Sequence, residues 1–93
     1  SVANRERARR RLEVVRRAEL AEAQLTRWRD SAAPILRQAL QKVEAGLATG
    51  GVERAELREC RRAYWEGREQ EIELVARCRA LELARMELEG IEP

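Results

Sequence analysis

Apolar residues recur along this chain at intervals of three and four, and no stretch alternates apolar with polar long enough to make a strand. One seven-residue ladder runs Ala18, Leu25, Ala32, Ala39, Gly46, and a second runs beside it through Val14, Ala21, Trp28 and Ile35. Together they form a stripe with coiled-coil spacing and predict a helix over about residues 4–48. A third ladder, Cys60, Gly67, Leu74, Leu81, Leu88, is flanked by Leu57, Tyr64, Ile72, Val75 and Met86. It predicts a second helix over about residues 53–88. The expected fold class is all-α: one domain over residues 1–93, an antiparallel two-helix hairpin with coiled-coil packing.

Thr49-Gly50-Gly51 is the strong breaker between the helices, with the turn expected over residues 49–52. Glycine reaches left-handed backbone angles without a Cβ clash, which suits Gly50 to a helix C-cap. Glu53 and Glu56 then fall where the helix dipole favours negative charge. If the chain reverses at this point, Leu12 faces Leu88, Trp28 faces Ile72, Leu36 faces Tyr64 and Val43 faces Leu57. Apolar meets apolar throughout, as a helical hairpin requires.

Two residues interrupt the pattern. Pro34 removes the hydrogen bond to the carbonyl of Asp30 and crowds it, at about 3 kcal/mol in a regular helix interior. Either the helix kinks and continues, or it stops near Asp30 and Ser31 caps a new one. The stripe stays in phase across the proline, which favours the kink. Gly67 costs up to about 1 kcal/mol relative to alanine in mid-helix. It either admits a bulky neighbour, such as Trp65 of another copy, or is simply tolerated.

Composition fits long solvated helices. Of 93 residues, 39% are charged and 3% aromatic, with no histidine and no phenylalanine. A helix pair this small buries a thin core, so association with further copies or with another protein is expected. The net charge of +2 does not by itself imply a polyanion partner. Its distribution is uneven: Arg5, Arg7, Arg9, Arg10, Arg11, Arg16 and Arg17 crowd the start against Glu6 and Glu13. The end is acidic through Glu82, Glu87, Glu89 and Glu92. In a hairpin these ends lie side by side, so mutual complementarity is expected ahead of nucleic-acid binding. No aromatic residues interleave the arginines as a single-strand platform would need. On the outer faces, Glu6–Arg10 and Glu13–Arg17 are expected to pair.

No catalytic constellation is legible. Without histidine or a close cysteine pair, neither a metal site nor a cofactor site is expected. The carboxylates alternate with arginines as solvated charge, and no serine or cysteine has a histidine partner. Gly50-Gly51 lacks the lysine of a phosphate loop. The chain is therefore not expected to be an enzyme. Cys60 and Cys78 lie roughly 27 Å apart along one helix at 1.5 Å per residue and read as seam residues. No apolar run approaches membrane-spanning length, and the first residues do not read as a signal peptide.

The run from Pro34 to Leu57 carries more specific information. A proline next to apolar residues is followed by a helix, Gly46, a second glycine at Gly50, the apolar Val52 and a Glu56-Leu57 opening of the next helix. In this, the stretch from Arg27 to Gly90 resembles the C-terminal part of TolC-type outer-membrane efflux proteins. Arg54 and Arg58 stand where that family usually has apolar residues, and Leu47 where it often has an aromatic one. The resemblance implies the periplasmic hairpin of an outer-membrane protein, trimeric in the full-length duct and not itself inserted in the membrane. It further implies a tip of Gly46, Leu47, Ala48, Thr49, Gly50, Gly51 and Val52 that docks on a periplasmic adaptor serving an inner-membrane pump. Two other readings fit less of the pattern. One is the α-hairpin of such an adaptor, whose flanking lipoyl-like strands have no counterpart here. The other is a generic coiled-coil interaction module.

Overall fold

A computed structural model describes residues 1–90. These residues are helical nearly throughout, and no strand forms among them. Helix α1 spans Val2–Arg27 and passes through a π-helical turn, Trp28–Ala32, into α2, Ala33–Ala48. Helix α3 runs unbroken over Arg54–Leu88. α1 starts two residues earlier than expected from the sequence, because Ser1 caps it. The amide of Asn4 donates to Ser1 Oγ at 3.3 Å and that of Arg5 to the Ser1 carbonyl at 3.2 Å.

The chain does not break before Pro34. Backbone angles stay helical at Arg27, Ala32 and Ala33, and the amide of Ala33 donates five residues back to the Trp28 carbonyl. Ser31 lies inside the π-turn and caps nothing. Pro34 has no N–H to give Asp30, and the wider turn accommodates that missing bond. The extra residue also shifts the phase of the stripe. In a regular helix Ile35 would follow Trp28 on one face, seven residues on. Beyond the π-turn Leu36 takes that face, and Ile35 is 66% exposed.

Contacts divide the chain into two units, one of Ser1–Leu25 with the stretch from Glu73 onward and the other Thr26–Ile72. In the first, Ala18 and Ala21 are buried, and Val14 and Leu25 continue their line half-buried. On α3, Leu74, Cys78, Leu81 and Leu88 are half-buried at three-, four- and seven-residue spacing. The Arg11 guanidinium reaches the Leu88 carbonyl at 3.4 Å. Leu12, expected to face Leu88, is exposed, because it lies two residues, or about 200°, round the helix from Val14. α3 closes on Gly90 at φ 74°, whose amide donates to the Glu87 carbonyl at 3.1 Å.

In the second unit, Leu57 and Gly67 are buried. Trp28 lies over Gly67, and Leu36 approaches the same glycine. Gly67 therefore admits a bulky neighbour, and that neighbour is Trp28 of the same chain, where Trp65 of another copy was expected. Trp65 is exposed and meets Tyr64 edge-on, with ring centroids 5.6 Å apart. Ile72, expected opposite Trp28, is exposed too. Glu71, one residue earlier and about 100° round the helix, holds that place and accepts a hydrogen bond from Trp28 Nε1 at 3.1 Å.

The ion pairs among the described residues are local. Glu13–Arg17 (4.0 Å), Arg68–Glu71 (3.2 Å) and Glu82–Arg85 (2.6 Å) each join neighbours on one helix. Glu6 and Arg10 do not come within pairing distance. None of the arginines at the start pairs with Glu82, Glu87 or Glu89, and Glu92 lies outside the described residues. The expected neutralisation between the two ends thus does not take the form of ion pairs among the described residues.

Candidate functional site

The glycine turn after α2 closes as a Schellman motif. Gly50, at φ 79°, is the left-handed residue past the helix end. Its amide donates to the Leu47 carbonyl at 3.2 Å, and the Gly51 amide donates to the Gly46 carbonyl at 2.8 Å. The two bonds satisfy carbonyls that a helix end leaves without partners. Thr49 Oγ1 adds a third, donating to the Gly46 carbonyl at 3.1 Å.

Gly46 has a separate role in this turn. The Val52 side chain packs where its Cβ would be, so a residue past the turn folds back on the last helical turn of α2. Gly51 has open space around it, with only the Gly46 carbonyl and the Thr49 hydroxyl 3.8 Å from a notional Cβ. The seven residues expected to form a tip are thus joined in one turn. Gly46, Leu47 and Val52 are half-buried, whereas Ala48, Thr49, Gly50 and Gly51 are exposed. Ala48 makes no bond in the turn beyond ending α2.

What this surface offers chemically is shape and backbone. Four small exposed residues in succession allow another chain to approach the main chain closely. None of the seven carries a titratable side chain; the nearest charges are Glu44 before them and Glu53 and Arg54 after. Among the described residues, no group of three His, Cys, Asp or Glu side chains is placed to hold a metal ion. No helix among the described residues is long and apolar enough to cross a membrane.

A second constellation escapes a sequence reading. Trp28 Nε1 and Arg68 Nη1 both donate to Glu71, one to each carboxylate oxygen, while the indole covers Gly67. Leu36, Arg37 and Tyr64 border the same spot. The mid-helix glycine was the available signal, but its partner follows only once the π-turn has set the phase of Trp28. This cluster is filled by its own side chains and leaves no room for a substrate.

Compared with family models, with curated proteins and with solved structures, the chain matches none.

Proposed function

We propose that this chain is a periplasmic helical hairpin of a TolC-like efflux duct, antiparallel and packed as a coiled coil, whose tip docks end-on against a periplasmic adaptor of a tripartite pump. The observation that carries the reading is the turn itself. The Schellman closure at Gly46–Gly51 satisfies its own carbonyls and leaves Ala48, Thr49, Gly50 and Gly51 exposed and small. A tip built this way can accept another helix end at close range. It needs no charge, cofactor or metal to do so. The Trp28–Gly67 and Gly46–Val52 contacts fit a reversal that sets α2 against the first half of α3.

The test uses the position where a side chain leaves the turn intact. Gly51→Leu and Ala48→Trp add bulk at exposed sites without displacing a neighbour. Binding of the chain to an isolated adaptor hairpin is followed by biolayer interferometry, with helix content checked by circular dichroism. Each substitution should weaken binding by about tenfold or more, the response to losing about 1.4 kcal/mol. Unchanged affinity with either variant would remove the docking role from this tip.

A further inference from the structure

In the first unit, some of the residues left outside the seam form two lines of opposite charge, with Glu19 beside the first and Arg77 and Arg79 beside the second. On α1, Val2, Arg5, Arg9, Leu12, Arg16 and Leu20 recur at three- and four-residue spacing and are all exposed. Val2, Leu12 and Leu20 keep 72%, 52% and 61% of their surface in solvent. On α3, Glu73, Ala76, Ala80, Leu83 and Glu87 recur in the same way and are also exposed. Most of each line stands about 200° round its helix from the half-buried seam residues. Leu20, however, is about 100° from Ala21 and borders a groove with Arg77 and Leu81, and Arg9 and Glu87 border a second groove of the same chain. One line is apolar and basic, the other apolar and acidic. Among the described residues, none of Arg5, Arg9, Arg16, Glu73 or Glu87 has an oppositely charged group within 4.0 Å.

We infer that the basic line of α1 is an interface for the acidic line of α3 in a second copy of this chain. Exposed leucines flanked by unpaired arginines call for an apolar partner of the other sign, and the α3 line supplies one through Ala76, Ala80 and Leu83 between Glu73 and Glu87. Opposed charges set the orientation and register of such a contact more than its strength. The Arg11–Leu88 bond fixes the level of the helices, setting Arg16 level with the Leu83–Ala84 turn. A copy placed alongside at the same level therefore brings Leu83 beside Arg16 and Leu20, and Glu87 within reach of the Arg16 guanidinium. The two faces differ, so the contact is heterologous, and each added copy leaves one face of each kind free until a ring closes. The inference deepens the duct reading and rests on it only in expecting copies side by side. A chain that assembles through these faces but ignores an adaptor would sink that reading and leave this one standing.

Charge reversal tests it on the full chain. Arg16 and Glu87 are exposed, so Arg16→Glu and Glu87→Arg should leave the helices folded, as circular dichroism would verify. By sedimentation velocity over a concentration series, each single variant should associate about tenfold more weakly than the wild type. The double variant, which exchanges the two signs, should associate as the wild type does. A one-to-one mixture of the single variants should gain a heterodimer, since one intact face of each kind remains. A double variant as weak as the singles would overturn the pairing, and so would singles that assemble normally. A wild-type chain that stays monomeric to millimolar concentration overturns it as well. So does Arg16→Glu releasing the chain from phosphatidylglycerol-containing vesicles while self-association is unchanged, since the basic line would then belong to an anionic surface.

Discussion

The two units solve the same packing problem in opposite ways. In Thr26–Ile72 a large side chain lies over a residue with none: Trp28 covers Gly67, and Glu71 ties down its indole nitrogen. In the unit of Ser1–Leu25 with the end of α3, the most deeply buried residues are two alanines, Ala18 and Ala21. A seam of alanines buries little apolar area, since the hydrophobic gain follows area removed from water. Leu25, Leu74, Leu81 and Leu88 flank that seam half-buried, but three other leucines of the unit are not spent on it. Leu12, Leu20 and Leu83 are exposed instead, which is what an assembling surface would use. One region thus holds its specificity inside, in a matched tryptophan and glycine, while the other has it available outside.

The largest expected effect tests the internal half of that contrast. Trp28→Ala removes the indole from Gly67 and its hydrogen bond to Glu71. Because Trp28 is only half-buried, the loss should sit at the low end for tryptophan truncations, about 3 kcal/mol by urea unfolding. Gly67→Ala then sharpens it. In the wild type the new methyl meets the indole ring and should cost about 1–2 kcal/mol. In the Trp28→Ala background the ring is gone and only Leu36 Cδ1, 3.2 Å from the added methyl, must give way into the vacated space, so the same change should stabilise by up to about 1 kcal/mol through helix propensity. That reversal of sign is a coupling measured by a double-mutant cycle. Additive effects would mean that Trp28 and Gly67 do not meet in solution.

In the alanine-lined unit the order of sensitivity reverses, with small residues critical and large ones tolerant. Ala21 is 2% exposed, so Ala21→Leu should overpack the seam and cost about 2 kcal/mol. Leu20→Ala next to it should change monomer stability by no more than about 0.5 kcal/mol, since Leu20 lies in solvent. Thermal unfolding of both variants, at concentrations low enough to prevent association, decides the point. Equal losses would mean that the seam does not run through Ala21.

These contrasts mark where sequence reasoning held and where it stopped. Helix content, the glycine breaker and the seam positions Ala18, Ala21 and Leu57 follow from period and backbone chemistry, which act locally. The phase beyond Asp30 does not. A seven-residue ladder carries Trp28 to Ile35 only if every turn has the same width, and the π-turn adjoining Pro34 adds one residue. That single shift exposes Ile35 and brings Leu36 to Gly67. For Leu12–Leu88 and Trp28–Ile72, counting from the turn comes within one residue of the contacts that form, Arg11 with Leu88 and Trp28 with Glu71. Such counting is too coarse to separate Glu71 from Ile72, which lie about 100° apart on the helix. In the candidate tip, Gly50 was legible as a left-handed cap because the need is intrinsic to glycine. The packing of Val52 on Gly46 was not, because it depends on where the chain goes after the turn.

The smallest effects belong to the turn, and they separate its two adjacent glycines. Gly50 sits at φ 79°, where an L side chain costs about 1–2 kcal/mol. Gly50→Ala should therefore destabilise by about 1 kcal/mol. Gly50→Asn should lose only part of that, because asparagine tolerates left-handed angles. Gly51 has no positive φ, and a methyl there meets nothing nearer than 3.8 Å. Gly51→Ala should be neutral or slightly stabilising, because alanine restricts the unfolded chain more than glycine does. Urea midpoints for the three variants check the order. If Gly51→Ala cost as much as Gly50→Ala, the Schellman geometry would be wrong in solution. If the order holds, a binding defect at Gly51 measures what touches the turn and not whether the turn forms.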